Sequence, residues 1–334
     1  MKKIVGILAV AAMATSMFAA DVSAKVRLEG SLFKYDAGTK GISAMEIEHA
    51  ANQNWNPVIS LSTSGDVAGA EVSFYNGTFQ SCGGWNSFYT VGAKVWKIWF
   101  SPIDGLKVKL GSLDASLNQE MIDWSNTKSG CDSQGYGLSY AKDAIAFDVF
   151  LMGGWDKAWM TKDDGADVAI GETYVKFQYN GGDIGTINAM LDAKNTFKDL
   201  TFGVGYKNTF SGITVFENVL GMVANEKFTT VRSETYAQGN VDAFAWAVWL
   251  PVDIDVNGGD PVIGTIAKVS YALDACTPYL YVKSENWLSD PFKVEIKPGV
   301  TGNVGAMAWE VAADINVAGS DVSFNVPVNF TVNF

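Results

Sequence analysis

Residues 321–334 read Asp-Val-Ser-Phe-Asn-Val-Pro-Val-Asn-Phe-Thr-Val-Asn-Phe. Every even position from Val322 to Phe334 is apolar, and every odd one from Ser323 to Asn333 is polar or proline. Period-two alternation marks an extended strand, because successive side chains leave the backbone on opposite faces. Val322, Phe324, Val326, Val328, Phe330, Val332 and Phe334 therefore share one face, and Ser323, Asn325, Asn329, Thr331 and Asn333 share the other. Such a strand can coat a soluble sandwich, where its apolar face needs a second sheet. It can equally stand between hydrocarbon and water.

The same period recurs back along the chain. It predicts strands near 25–35, 57–64, 68–77, 88–100, 106–114, 135–141, 144–152, 168–179 and 184–193. A second group is expected near 200–207, 213–222, 228–237, 243–250, 262–272, 278–285, 291–298, 304–315 and 321–334. That gives about 18 strands, or 16 if a weak segment such as 228–237 belongs to a loop. Connections alternate between short turns, such as Ser64-Gly65-Asp66, Lys142-Asp143 and Gly299 to Asn303, and long loops at 36–56, 78–87, 115–134, 153–167 and 251–261. Charge follows parity as well. Lys107 and Lys109 alternate with Leu106, Val108 and Leu110; Lys293, Glu295 and Lys297 alternate with Phe292, Val294 and Ile296; Glu172 and Lys176 oppose Thr173, Val175 and Phe177. One strand changes parity, from Val91, Ala93 and Val95 to Trp96, Ile98 and Phe100, which predicts a β-bulge near Val95. Trp96, Trp99 and Phe100 are then expected near a membrane–water boundary, where amphipathic rings are favoured.

Composition narrows the class. The 334 residues are 48% apolar, 13% aromatic and 18% charged, enough apolar surface to offset the ordering entropy of a folded chain. Mean hydropathy is only +0.09, and beyond the N-terminus no run of about 18 apolar residues is present to cross a bilayer as a helix. With 36 acidic against 24 basic residues, nucleic acid is not an expected partner. A single histidine, His49, excludes schemes needing two.

Residues 1–24 have the pattern of a secretory signal: Lys2 and Lys3, an apolar core from Ile4 to Ala14, then small residues. Cleavage is expected after Ala24, with Ala20 the alternative, leaving one domain over 25–334. Removing Lys2, Lys3 and Asp21 leaves 22 basic and 35 acidic residues, a net charge of −13.

A secretory signal together with a terminal amphipathic strand through Val328, Phe330, Val332 and Phe334 resembles a Gram-negative outer-membrane β-barrel. The N-terminal style also resembles spirochaetal major outer-membrane proteins. The resemblance implies an all-β, transmembrane, antiparallel up-and-down barrel with a water-filled lumen, and a last strand read by the barrel assembly machinery after escort by periplasmic chaperones. Outer-membrane lipid, small hydrophilic solutes and a homo-oligomer, in the porin case a trimer, are the implied partners. In porins a long third outer loop often folds inward. Here that loop carries Glu120, Asp123 and Asp132 against Lys128, an expected acidic constriction that, with the charge of −13, implies mild cation preference.

On this topology Lys107, Lys109, Glu172, Lys176, Arg232, Glu234, Lys293, Glu295 and Lys297 are the expected pore-lining residues. Cys82 and Cys131 fall in the second and third outer loops and are a candidate disulfide, with Cys276 left over at an inner turn. Asp253, Asp255, Asn257 and Gly258 form the first half of a calcium-loop pattern, with Asp260 as a further oxygen donor, but position twelve is Gly264 where an EF-hand has glutamate. No nucleophile elbow, phosphate loop or cysteine–histidine metal spacing is present, and no cofactor is implied. Three function classes follow: a passive channel, a surface adhesin or structural protein anchored by its barrel, and a soluble secreted β-sandwich binding protein suggested by the 11 tryptophans.

Overall fold

The computed structural model describes residues 21–48, 59–65, 67–79, 88–118, 130–153, 158–162 and 167–333. Strand β1 (Asp21–Asp36) rises to a short outer turn, and β2 returns in two pieces, Gly41–Glu48 and Ile59–Ser64. Then come β3 (Ala68–Phe79), β4 (Phe88–Ile103), β5 (Leu106–Ser116), β6 (Gly130–Lys142) and β7 (Ile145–Met152). The next five are β8 (Glu172–Asn180), β9 (Thr186–Lys194), β10 (Asp199–Phe210), β11 (Ile213–Ala224) and β12 (Lys227–Val241). The last are β13 (Phe244–Asp255), β14 (Val262–Ile263 with Thr265–Tyr271), β15 (Thr277–Ser284), β16 (Lys293–Val304), β17 (Met307–Ala312 with Asp314–Ala318) and β18 (Asp321–Asn333). Each pairs antiparallel with the next, and β18 pairs with β1 from Lys25↔Asn333 to Tyr35↔Phe324, which closes the ring. Closure removes the sheet edges that an open sheet leaves unpaired.

Tight turns carry the inner connections. Ser211 and Gly212 both have positive φ, 50° and 83°, the conformation a two-residue hairpin matched to strand twist requires. Some outer connections are as tight: Asn225 and Glu226, at φ 50° and 65°, join β11 to β12.

The parity switch is where the sequence places it. Opposite Ser73 and Phe74, strand β4 pairs through Val95 and then Ala93, so Lys94 is the extra residue. Trp96, Ile98 and Phe100 are consequently exposed on one face, while Trp99 lies on the other, under the ammonium of Lys107 at 4.2 Å. That corrects the expectation that Trp99 shares the boundary position of Trp96 and Phe100.

Other boundaries differ. Residues 41–48, read as part of a 36–56 loop, pair with β1 from Gly41↔Asp36 to Glu48↔Glu29, so the first outer connection is only 37–40. Gly299 to Asn303, read as a turn, lies inside β16, and the turn comes at Gly305. Residues 228–237, the weakest segment by pattern, sit within a 15-residue strand paired on both sides. Asp21–Ala24, assigned to the leader, pair with Ile59–Ser62.

Candidate functional site: the inner wall

The two faces of the ring differ in kind. On β8 to β10, Phe177, Tyr179, Ile187, Leu191, Phe202 and Val204 are exposed, whereas Tyr174, Asn188 and Asp192, of the opposite parity, are buried. Asn118 Nδ2, just past β5, lies 2.6 Å from Asn218 Oδ1 on β11. Only a path through the interior joins those strands, so the polar face is the inner one.

The segment after β5 bends inward. Lys176 Nζ donates to the Ser116 carbonyl at 2.6 Å, Ser116 Oγ to the Asn118 carbonyl at 3.1 Å, and Asn188 Nδ2 to Asn118 Oδ1 at 3.3 Å. Leu117, 1% exposed, packs with Leu113, Cys131, Phe150, Met152, Tyr174, Met190 and Leu220. The start of the third outer connection is thus fixed to the wall by both polar and apolar contacts.

From Asn218 a chain of buried polar groups continues across three strands. Asn218 Nδ2 donates to Glu234 Oε2 at 3.1 Å, Arg232 Nε to Glu234 Oε1 at 2.9 Å, and the Arg232 guanidinium to both Asp253 oxygens at 2.9 and 3.1 Å. Glu234 has no exposure and Arg232 is 4% exposed, so both charges are satisfied within the protein rather than by bulk water. The guanidinium carbon lies 5.8 Å from the Trp249 ring centre.

Every other pore-lining residue named from sequence is also placed. Lys109 pairs with Asp148 at 3.8 Å; Glu172 and Asp192 flank Lys194 at 3.2 and 3.0 Å. Lys297 lies 3.9 Å from Glu310, which also accepts from Tyr279 and, at 3.0 Å, from Asn329. Lys268, Tyr281, Lys283, Glu295 and Lys297 line a recess of about 300 Å³ with these groups, and Lys293 lines a neighbouring one of about 480 Å³. The sequence reading missed Asn118, Asn188, Asn218, Asp148, Asp192, Trp249 and Glu310. Their signal was parity alone, as in Phe216-x-Asn218-x-Leu220.

Three smaller expectations change. Asp132 belongs to β6, opposite Asp114, and not to a constricting loop, because β6 begins at Gly130. Glu120, Asp123 and Lys128 lie outside the described residues, as do Cys82 and Phe334. Cys131 is a free thiol buried in the apolar cluster. The calcium-loop residues do not converge: Asp253 is held by Arg232, and Asp255 accepts from the backbone and side-chain nitrogens of Asn257 at 2.8 and 3.2 Å. Among the described residues no three acidic, histidine or cysteine side chains gather as a metal site.

No protein-family profile and no curated protein matches the sequence. Solved structures do. OccAB4 of Acinetobacter baumannii matches at 9% identity with TM-score 0.53, covering 94% of this chain and 98% of its own. The outer membrane protein opdK of Pseudomonas aeruginosa matches at 9% identity and TM-score 0.55, covering 94% and 98%. This is the fold of the Gram-negative outer-membrane porins. OccK2 of P. aeruginosa, solved in complex with glucuronate, matches this porin-fold chain at 11% identity and TM-score 0.54, covering 95% and 97%. At such identities the likeness concerns architecture, and the porin-fold wall described above is this chain's own.

Proposed function

We propose that this protein is an outer-membrane channel through which small hydrophilic solutes diffuse passively. The observation that carries the reading is the segregation of the two faces. The inner wall presents charged and polar groups from Lys107 on β5 round to Glu310 on β17, while the outer face of the same strands is mostly apolar, with the outward carboxylate of Glu217 on β11 accepting from the Ser233 and Thr235 hydroxyls beside it on β12. A ring of this many strands is too wide for side chains to fill, so a polar-walled interior holds water. Ionisable side chains on a wet wall suit hydrated solutes. The glucuronate bound by OccK2 is one such solute in a barrel of similar architecture.

Selectivity follows from two patches in opposition. Around Arg232 two carboxylates meet one cation, while around Lys268, Lys283 and Lys297 three cations meet Glu295 and Glu310. The mild cation preference expected from the chain's charge is therefore weak, and it rests on the Arg232 patch and on Glu120 and Asp123. The terminal strand with Val328, Phe330, Val332 and Phe334 serves insertion by the barrel assembly machinery after periplasmic chaperones, and the barrels associate as trimers. No catalytic role is assigned to His49 or to any wall residue.

Planar-bilayer recording tests the reading. Purified protein should give discrete conductance steps with a small cation-directed reversal potential in a salt gradient. A barrel that inserts and gives no steps would leave only the anchoring role.

A further inference from the structure

The inner turns carry an apolar residue at every position round the ring. Val67, Ile103, Ile184, Val241, Leu273 and Val304 are each more than half exposed, and Ile145 and Phe210 stand at the remaining two turns. At four turns the last rung of the hairpin is an apolar pair: Ile103↔Leu106, Phe210↔Ile213, Val241↔Phe244 and Val304↔Met307. These rungs have the parity of the outer face and continue it downward; above Phe210 the row includes Asn208, whose amide is held by the Tyr206 hydroxyl and the Asp183 carbonyl.

The height of the apolar band shows where its lower edge must be. On β13 the outward residues Phe244, Trp246, Val248, Leu250, Val252 and Ile254 are all apolar. Ten steps of about 3.4 Å make about 34 Å along the strand, or about 25 Å along the axis at the tilt of a membrane barrel. That is the full height of a lipid-facing band. Its lower edge is Phe244, the first residue after the turn, so no strand is left over to hold the turn clear of the membrane.

Beside these apolar residues stand carboxylates. Asp104, Asp143, Asp183, Asp242 and Asp274 each occupy an inner turn, and the cation among them, Lys142, is paired with Asp104 at 3.1 Å. The rim is therefore apolar above and acidic below.

We propose that the inner turns form a lipid-docking ring: their apolar side chains seat in the acyl chains of the inner leaflet, and their aspartates meet the ammonium groups of zwitterionic phospholipid. The inference rests on reading the outer face as membrane-facing, and it is independent of conduction. Acidic turns disfavour anionic headgroups, and exposed aliphatic side chains gain by entering hydrocarbon.

The test uses the full chain folded into phosphatidylethanolamine–phosphatidylcholine vesicles. Nitroxides are placed by Ile184→Cys, Val241→Cys or Val304→Cys, after Cys82, Cys131 and Cys276 are changed to serine. The oxygen-to-nickel accessibility ratio at these sites should match that of Phe177→Cys in the middle of the band. A ratio matching Lys40→Cys in an outer turn overturns the proposal, whereas a watery ratio at Phe177→Cys would instead overturn the membrane reading beneath it. If the serine background fails to fold, benzoylphenylalanine at 184 and 304 in the unaltered cysteine background replaces the nitroxide. Photocrosslinks to lipid support the ring, and their absence opposes it. Changing the five aspartates to asparagine should abolish any preference for ethanolamine over glycerol headgroups in folding yield. An unchanged preference overturns the headgroup contact.

Discussion

Asn118 and Asn218 share a hydrogen bond of 2.6 Å across a hundred positions of sequence, which ties the segment after β5 to the inside of β11. Asn118 is also held by Asn188, so its amide bridges two strands of the wall. Asn118→Ala should release that bridge at a cost of about 1–3 kcal/mol, the range for buried polar partners left unsatisfied. The expected outcome is a larger and noisier single-channel conductance with the barrel still folded. Conductance indistinguishable from the parent would show that the segment does not narrow the path.

Arg232 is the point where the buried chain of polar groups is most open to damage. Removing it leaves the buried Glu234 and the half-buried Asp253 without the guanidinium that both now accept from. Arg232→Ala is expected to cost about 3–5 kcal/mol, as for other buried pairs broken on one side. The drop should appear as unfolding at a lower temperature on a heat-modifiability gel. Arg232→Lys should recover only part, because an ammonium cannot reach Glu234 with one nitrogen while offering Asp253 a planar second. Full recovery with lysine would make simple charge balance the cause.

Period two made the strands legible because it is a property of the backbone, and it even located the bulge, whose extra residue is Lys94. Glycine misled it. Gly299 and Gly302 looked like a turn, yet they lie opposite Tyr279 and Trp309, whose rings fold over the space a side chain would occupy. A sequence shows the glycine and not the ring above it. The wall was legible by parity for Arg232 and Glu234, but pairing was not, since Asp253 and Asn218 join them from strands whose alignment only closure fixes. Residues 41–48 were hidden for a related reason: they share the partner strand β1 with Ile59–Ser64, and neither piece has full length on its own.

The ring above Gly302 gives its own prediction. A Cβ at that position would come within 2.5 Å of the Trp309 ring. Gly302→Ala should therefore push the indole aside and cost about 1–3 kcal/mol, as overpacking does. Pairing it with Trp309→Leu, which takes the ring away, should restore part of the loss. The two singles and the double, compared by heat-modifiability midpoint, measure that coupling. Strict additivity would mean that ring and glycine do not depend on each other.

The first strand bears on the leader. Asp21, Val22, Ser23 and Ala24 pair with Ser62, Leu61, Ser60 and Ile59, extending β1 below its contact with β18 at Lys25. Cleavage after Ala24 would remove those four rungs and leave the lower piece of β2 with β3 as its only neighbour. Cleavage after Ala20 keeps them. Residue size near the cut favours Ala24, because Val22 is smaller than Phe18 at the matching position. The pairing favours the other cut, because only cleavage after Ala20 would keep these four rungs in the sheet. The mature protein is accordingly expected to begin at Asp21, and intact-mass measurement of the exported chain reads the difference directly. A chain beginning at Lys25 would show that the barrel closes without the extra rungs. A deletion of 21–24 should then leave the heat-modifiability midpoint unchanged, whereas a mature Asp21 end predicts that the same deletion lowers it.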